Sequence, residues 1–319
     1  MSYMKTMLAG CAAVALTAGT ALAQDAETRV IGVSIPAATH GWAGCMNFHA
    51  QETVERLEEV YPNLDFVLST ASDPGTQVND IEDMVATRNI DALVVLPFES
   101  DPLTPPVQAV KESGAWVTVV DRGLSVEGVE DLYVAGDNPG FGRVSGEYMV
   151  EKMPDGGNIV VLRGIPTTID NERVEGFQSA IKGSGIEIID MEHGNWNRDD
   201  SFNVMQDFLS KHDQIDAVWA SDDDMAVGVL AAIDAAGRDD IQFVLGGAGM
   251  KEMVQRVMEG DEMIPADVTY PPSMIATAIE MTALAALNPG LPVSGEFIIA
   301  SELITPENAE AYYFEDSPY

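Results

Sequence analysis

The chain has little cysteine, little positive charge and a single long hydrophobic run. Of its 319 residues two are cysteine, Cys11 and Cys45. Cys11 falls in a segment with the features of an export signal: Lys5 for charge, a run of small and apolar residues from Met7 to Leu22, and Ala21-Leu22-Ala23 as a cleavage site. Thr17, Gly19 and Thr20 make that run too weakly apolar for a membrane span. Leu8-Ala9-Gly10-Cys11 has the outline of a lipoprotein box, yet almost no apolar segment precedes its cysteine. Cleavage after Ala23 leaves Cys45 alone, so no intramolecular disulfide is expected and stability must come from apolar cores. Residues 24–319 contain no second run long enough to cross a bilayer and are ample for two lobes. Lysine and arginine number 16 against 52 acids, a formal net charge of −36. Such a surface repels nucleic acid and anionic membranes alike. The acids are dispersed, and a hydrophobic content of 46% is too high for a disordered chain. A globular exported protein with a solvated acidic surface fits these limits.

Several catalytic signatures are also missing. There is no Gly-x-Ser-x-Gly elbow, no His-Glu-x-x-His, no phosphate-binding Gly-x-x-x-x-Gly-Lys and no cysteine pair for a metal. His40, His49, His193 and His212 are scattered without metal-ligand spacing. Asp222-Asp223-Asp224 lacks the glycine and distal glutamate of a calcium loop. The expectation is a protein that is not an enzyme and needs no cofactor or metal.

What is present is a regular alternation. Short apolar runs at 30–35, 65–69, 92–96, 116–120 and 132–135 read as buried strands, with amphipathic helices near 43–60, 75–88 and 104–113 between them. In the first helix Met46, Ala50, Val54 and Leu57 recur at helical spacing, while Glu52, Glu55, Arg56, Glu58 and Glu59 take the wet face. Pro105 and Pro106 suit a first turn. After Asp137-Asn138-Pro139 the pattern restarts, with strands at 158–162, 186–191, 217–220, 242–245 and 266–270 and helices near 139–153, 171–182, 200–211, 223–236 and 250–259. Gly183, Gly237 and Gly260 stand where helix ends need a left-handed residue. This grammar predicts an α/β chain of two Rossmann-like lobes with parallel sheets. A helix near 272–287 and a strand near 296–303 follow. If the helix packs on the first lobe and the strand on the second, the chain crosses three times, giving a three-strand hinge with a cleft between lobes. The lobes are then 24–136 with about 271–295, and 137–270 with about 296–319.

The fourth strand, 116–120, stops at Asp121-Arg122, an acid and a base just beyond the carboxyl end where open α/β sheets place ligands. A carboxylate accepts and a guanidinium donates, a pairing suited to a polyhydroxylated molecule and equally to a local ion pair. With this dipeptide go residues 30–42, Glu172-Arg173-Val174-Glu175-Gly176-Phe177, Phe202-Asn203-Val204-Met205-Gln206 and Ala220-Ser221-Asp222-Asp223-Asp224-Met225-Ala226-Val227-Gly228. In this order, behind an export signal, the chain resembles the periplasmic sugar-binding proteins of ribose/galactose type, the extracytoplasmic receptors of ABC importers, over essentially the whole of 24–319. The resemblance implies two lobes closing on a neutral carbohydrate or polyol, a membrane permease as partner, a periplasmic location and a monomeric receptor. It puts ligand contacts at His40 and Trp42 in the first loop, Asp121 and Arg122, Asn171 or Arg173, Trp196, Asp222 and, near the last crossing, Tyr270.

Sugar chemistry accords with those positions, because a ring offers C–H on its faces and hydroxyls around its rim. Trp42 and Trp196 would cover faces; Asp121, Arg122, Arg173 and Asp222 would take part of the rim. Other roles stay open: Trp42 as a hydrophobic staple, Trp196 as loop packing, Arg173 as an ion-pair partner, and the three aspartates as caps of the helix they begin. Two positions depart from the family pattern. Ala248 stands where an aspartate is common, and Tyr270 where a glutamine or asparagine is, which makes ribose a poor fit and favours a shorter polyol or a deoxysugar. A repressor of lactose type shares the fold but would need a DNA-reading head in place of the export signal. A receptor feeding a chemotaxis or signalling partner is the alternative to transport.

Overall fold

The structure is a computed structural model that describes residues 27–38, 40–290 and 294–319. The expected export signal lies outside the described residues. In chain order the first lobe contains β1 (Arg29–Pro36), α1 (Gly41–Val60), β2 (Leu64–Ala71), α2 (Pro74–Asp83), β3 (Ala92–Val95), α3 (Ser100–Glu112), β4 (Trp116–Val120) and β5 (Leu132–Gly136). The second lobe follows with α4 (Asn138–Lys152), β6 (Gly157–Arg163), α5 (Thr168–Ile181), β7 (Ile186–His193), α6 (Arg198–Lys211), β8 (Ala217–Ala220), α7 (Asp223–Ala236), β9 (Phe243–Leu245), α8 (Lys251–Glu259) and β10 (Asp267–Val268). Last come α9 (Met274–Leu287), β11 (Gly295–Ile299) and β12 (Leu303–Ile304).

The first lobe holds a parallel sheet in the order β11-β5-β4-β3-β1-β2, the second a parallel sheet β7-β6-β8-β9. The fully buried runs of β3 and β8 explain why apolar strands without polar alternation sit centrally, covered on both faces. Helix starts follow local chemistry: Asp73, Asp137, Asn197 and Asp222 each accept a backbone N–H two or three residues on. Gly183, Gly237 and Gly260 all take the left-handed conformation.

Two elements differ from the sequence reading. α3 begins at Ser100, so Pro105 and Pro106 lie in its second turn; the Thr104 hydroxyl on the Ser100 carbonyl and fully buried Leu103 hold the earlier turn. The last strand does not return to the second lobe as one piece. β11 pairs in parallel with β5 at the edge of the first sheet, and only β12 crosses, pairing antiparallel with β10. Hydrophobic content cannot tell which sheet an edge strand joins, and here Phe297 and Ile298 are both largely exposed. The chain passes between lobes at 136–138, 269–273 and 300–302. These passages are sewn together: Asp137 N–H donates to Ile299 O, Ser301 Oγ to Asp137 O, and Thr269 N–H to Glu302 O.

Under the second sheet, fully buried Trp219 of β8 stacks on Phe177 of α5 with ring centroids 4.0 Å apart. Trp219→Ala is expected to cost about 3 kcal/mol in urea unfolding, and a loss under ~1 kcal/mol would show that this stack is not cohesive. Beside it, the Asp223 carboxylate accepts the Gly247 and Met250 amides at 2.7 and 2.8 Å. Burial, then the charge of neighbouring Asp267, raises its pKa well above the carboxylate range. Burial likewise pushes Asp267 up to about 7. An acid that holds its proton longer when folded loses stability as pH rises, so unfolding free energy should fall from pH ~4 to about 7 through Asp267. Asp267→Asn should flatten that slope in urea titrations at several pH values; an unchanged slope would remove Asp267 as its source.

Candidate functional site

A cavity of about 680 Å³ opens between the lobes, within the range of small-molecule sites. Its walls include His40, Trp42, Asp121, Arg122, Arg173, Trp196, Asp222, Ala248 and Tyr270. Asn171 is not among them. It sits on the opposite side of α5, where its amide oxygen accepts from Arg163 Nη2 at 2.6 Å. Residues two apart on a helix point about 200° away from each other, so only one of Asn171 and Arg173 can face the cleft.

Asp121 is aimed by strain. Its φ is 59°, and Arg122 N–H donates back to the Val120 carbonyl at 2.7 Å, the pattern of a γ-turn. Its own N–H goes to Val134 O at 2.9 Å and its carbonyl accepts the Tyr133 hydroxyl at 2.6 Å. The main chain is thereby pinned and the buried carboxylate projects to the cavity. Oδ1 accepts the Tyr270 hydroxyl at 2.6 Å; Oδ2 accepts no hydrogen bond among the described residues. Burial and the Asp121 charge hold the Tyr270 phenol well above its usual pKa, so it stays a donor. Arg122 spends Nη1 on the carbonyls of Pro97 and Phe98, which fixes its guanidinium to the loop after β3 rather than to Asp121.

Arg173 is buried and held on several sides. Nε donates to Asn138 at 2.9 Å, Nη1 to the Ser221 carbonyl at 2.8 Å, and the guanidinium lies over the rings of Tyr270 and Phe141 at 4.3 and 4.4 Å. Among the described residues no acid forms a salt bridge with it, so the ion-pair role is not what the structure shows. Asn138 completes the group by donating to the Tyr270 hydroxyl at 3.1 Å. Gly136 is required here, because a Cβ would overlap the Tyr270 ring.

Trp196 reaches the cleft from a loop in which both it and Asn195 are left-handed, with φ of 53° and 56°. Such a conformation costs a tryptophan about 1–3 kcal/mol, and strain of this kind gathers at functional sites. The indole lies where a Cβ on Gly164 would collide with it. His40 stands between the lobes' aromatics, its ring 6.3 Å from Trp42 and 6.4 Å from Trp196; burial lowers its pKa, against the raising effect of Asp224 and Asp121. Trp42 is anchored through Nε1 on the Tyr270 carbonyl at 2.9 Å, a tertiary bond that a local staple would not need.

Asp222 caps α7 through Oδ1 on Met225 N–H at 3.2 Å and also lines the cavity. Burial, then the charges of Asp224 and Asp223, raises its pKa well above the usual range, with Arg173 opposing. Asp224 does something sequence reasoning missed. It accepts the Gly41 amide at 2.9 Å, capping α1 from the opposite lobe while pairing with Arg198 at 2.6 Å. The signal was available: His40 precedes α1 and supplies no side-chain cap. Also missed were Phe98, Glu99, Asn195 and Asn197 in the wall, all on strand-end loops. No group of three or more metal-ligating side chains exists among the described residues.

Residues 31–291 match the family model described as periplasmic binding protein domain. Among curated proteins, the ribose import binding protein of Escherichia coli strain K12 is 27% identical over 261 residues, covering 82% of this chain and 84% of that protein. The xylitol-binding protein of Mycolicibacterium smegmatis is 28% identical over 263 residues, 79% of this chain and 72% of that one. Among solved structures, an ABC transporter solute-binding protein from Bacillus halodurans with bound myo-inositol superposes with a TM-score of 0.81 at 26% identity, covering 93% of this chain and all of that one. These relatives are binding proteins rather than enzymes. Two parallel-sheet lobes, three tied crossings and a cleft lined from both sides agree with a family match over most of the length: the chain belongs to the periplasmic binding proteins, of the ribose/galactose sugar-binding type.

Proposed function

We propose that the protein is the periplasmic solute receptor of an ABC importer, closing its lobes on a neutral carbohydrate or polyol and delivering it to the membrane permease. The observation that carries this reading is a single cavity bounded by Asp121, Arg122, Trp42 and His40 from the first lobe and Arg173, Trp196 and Asp222 from the second. Carboxylates and guanidinia together suit hydroxyls, which both donate and accept. Glu99, Asp101 and Asp200 in the same wall disfavour anionic solutes. The ligands named for the relatives, ribose, xylitol and myo-inositol, are all neutral and polyhydroxylated. Import is favoured over a signalling role because several curated relatives are named import binding proteins, for ribose and for D-apiose. Residues 1–23 would direct export and be removed.

Ligand that touches both lobes stabilises the closed arrangement, and the permease reads that state. Several buried polar contacts with aromatic stacking correspond to Kd values from about nanomolar to micromolar. A thermal-shift screen over pentoses, hexoses, deoxysugars, tetritols, pentitols and inositols tests the reading, since a tight ligand raises apparent stability by mass action. No shift with any of them would overturn it. Asp121→Ala should weaken the ligand found by about ten- to a hundredfold in calorimetry with the fold retained, as expected for losing a charge-assisted acceptor. Trp196→Ala should weaken binding without lowering the melting temperature of the ligand-free protein, because the indole lines the cavity and its buried Nε1 makes no hydrogen bond among the described residues. Normal affinity with a lower melting temperature would make Trp196 a packing residue.

A further inference from the structure

Residues 313–319 connect the two lobes by a route outside the cavity. The 3-10 turn Ala309–Tyr312 packs on α8 of the second lobe, and the chain beyond it is tied to the first residue of that helix. There Lys251 Nζ donates to the carbonyls of Glu315 and Ser317 at 3.1 and 2.7 Å. The segment then runs onto α1 of the first lobe. Ser317 Oγ lies 3.7 Å from Cys45 Sγ, and the Tyr319 ring covers the bare face of Gly41 so closely that a Cβ there would fall 2.7 Å from it. Tyr319 is buried and also stands beside the start of α7: burial, then the charges of Asp222, Asp223 and Asp224, hold its phenol well above the usual pKa. Its hydroxyl makes no hydrogen bond among the described residues, so the ring rather than the oxygen does the holding. One side chain is thereby wedged between the first turns of α1 and α7, beside the Gly41–Asp224 bond that joins them. Neither Tyr319, Ser317 nor Lys251 lines the cavity.

Length limits what this segment can do. Tyr319 is two residues beyond the Ser317 carbonyl that Lys251 anchors, a reach of at most ~7 Å, so its ring cannot follow α1 if the lobes swing apart. The contacts of Tyr319 with Gly41 and of Ser317 with Cys45 therefore belong to the arrangement with the lobes together, and contacts made in one state shift the balance towards it. Burying a whole large apolar side chain is worth about ten- to a hundredfold in an equilibrium; the part of the ring that faces α1 corresponds to about three- to tenfold. We propose that residues 313–319 are a strap, anchored on the second lobe and wedged by Tyr319 against α1, that holds the lobes together and so tightens ligand binding from outside the cavity. Tyr319 is then a positioning residue. The effect on binding rests on the receptor reading; the effect on closure does not.

Small-angle X-ray scattering on the ligand-free protein tests closure. Tyr319→Ala should raise the radius of gyration, because a weaker strap leaves more molecules open, and should speed alkylation of Cys45 by N-ethylmaleimide about three- to tenfold. Tyr319→Phe, which keeps the ring, should leave both unchanged. A radius that stays the same in Tyr319→Ala overturns the strap, and faster alkylation alone marks the segment as a cover on α1. If Tyr319→Ala does not fold, Lys251→Met removes the anchor instead and should give the same two changes. Calorimetry then uses whichever pentose, hexose or polyol raises the melting temperature most. Tyr319→Ala should bind it about three- to tenfold more weakly, since apparent affinity falls with the competent fraction. Unchanged affinity in a more open variant overturns the tightening. A thermal screen without any ligand brings down the receptor reading and leaves the strap to be decided by the scattering.

Discussion

The hydrogen bond from Tyr270 to Asp121 joins parts of the chain far apart in sequence, and most of the cleft is arranged around it. Tyr270 lies at the second passage between lobes, Asp121 at the tip of β4, and Asn138 at the end of the first passage. A buried phenol donating to a carboxylate is among the stronger protein hydrogen bonds, worth about 1.5–3 kcal/mol. Its geometry also demands a bare backbone at Gly136, an arginine over the ring and an indole at its carbonyl. The hinge and the floor of the site are therefore one packed unit. A change at any member is felt by the others.

Much of the architecture was legible because its signals are periodic. Buried parallel strands read as apolar runs, amphipathic helices as three-and-four spacing, and the break at 137–139 as the start of a second series. Strand-end position singled out Asp121 and Arg122, and the family resemblance Trp196 and Asp222; all four line the cavity. What stayed hidden was geometry that depends on distant partners. Nothing in Asn195-Trp196 announces two consecutive left-handed residues, since the space for that indole is made by Gly164 on another strand end. Asn171 and Arg173 carry similar polar promise in one dimension, and only the turn of α5 assigns one to Arg163 and the other to the cleft. β11 reads as a strand, but its parallel pairing with β5 is decided by α9 and by the edge that β5 leaves open. Asp224 reads as part of its own helix start, whereas its partner is the amide of Gly41 across the lobes.

Charge shows the same division between what is local and what is not. A net charge of −36 is visible at once, and it opposes compaction through self-repulsion. Less visible is how the scarce cations are spent: Arg163 pairs with Asp170, Arg198 with Asp224 and Arg238 with Asp240, while buried Arg173 goes to carbonyl, amide and ring partners. The exposed acids are left to water and salt. In the cleft, Arg122 and Arg173 stand among Glu99, Asp101, Asp121, Asp200 and Asp222, so the wall offers donors of positive charge beside acids.

The tied passages divide the contacts of the cleft by their distance from an axis. Tyr270 and Asn138 lie in the tied passages, where a rotation of the lobes moves groups least, and Asp121 and Arg173 reach them from either side. The Gly41–Asp224 bond joins the starts of α1 and α7, one from each lobe, and would break if the lobes swung apart. Opening therefore uncaps a helix. The first turn of α1, with no cap of its own, carries the memory of whether the receptor is shut, and it does so at a backbone amide whose exchange with solvent would report the state directly.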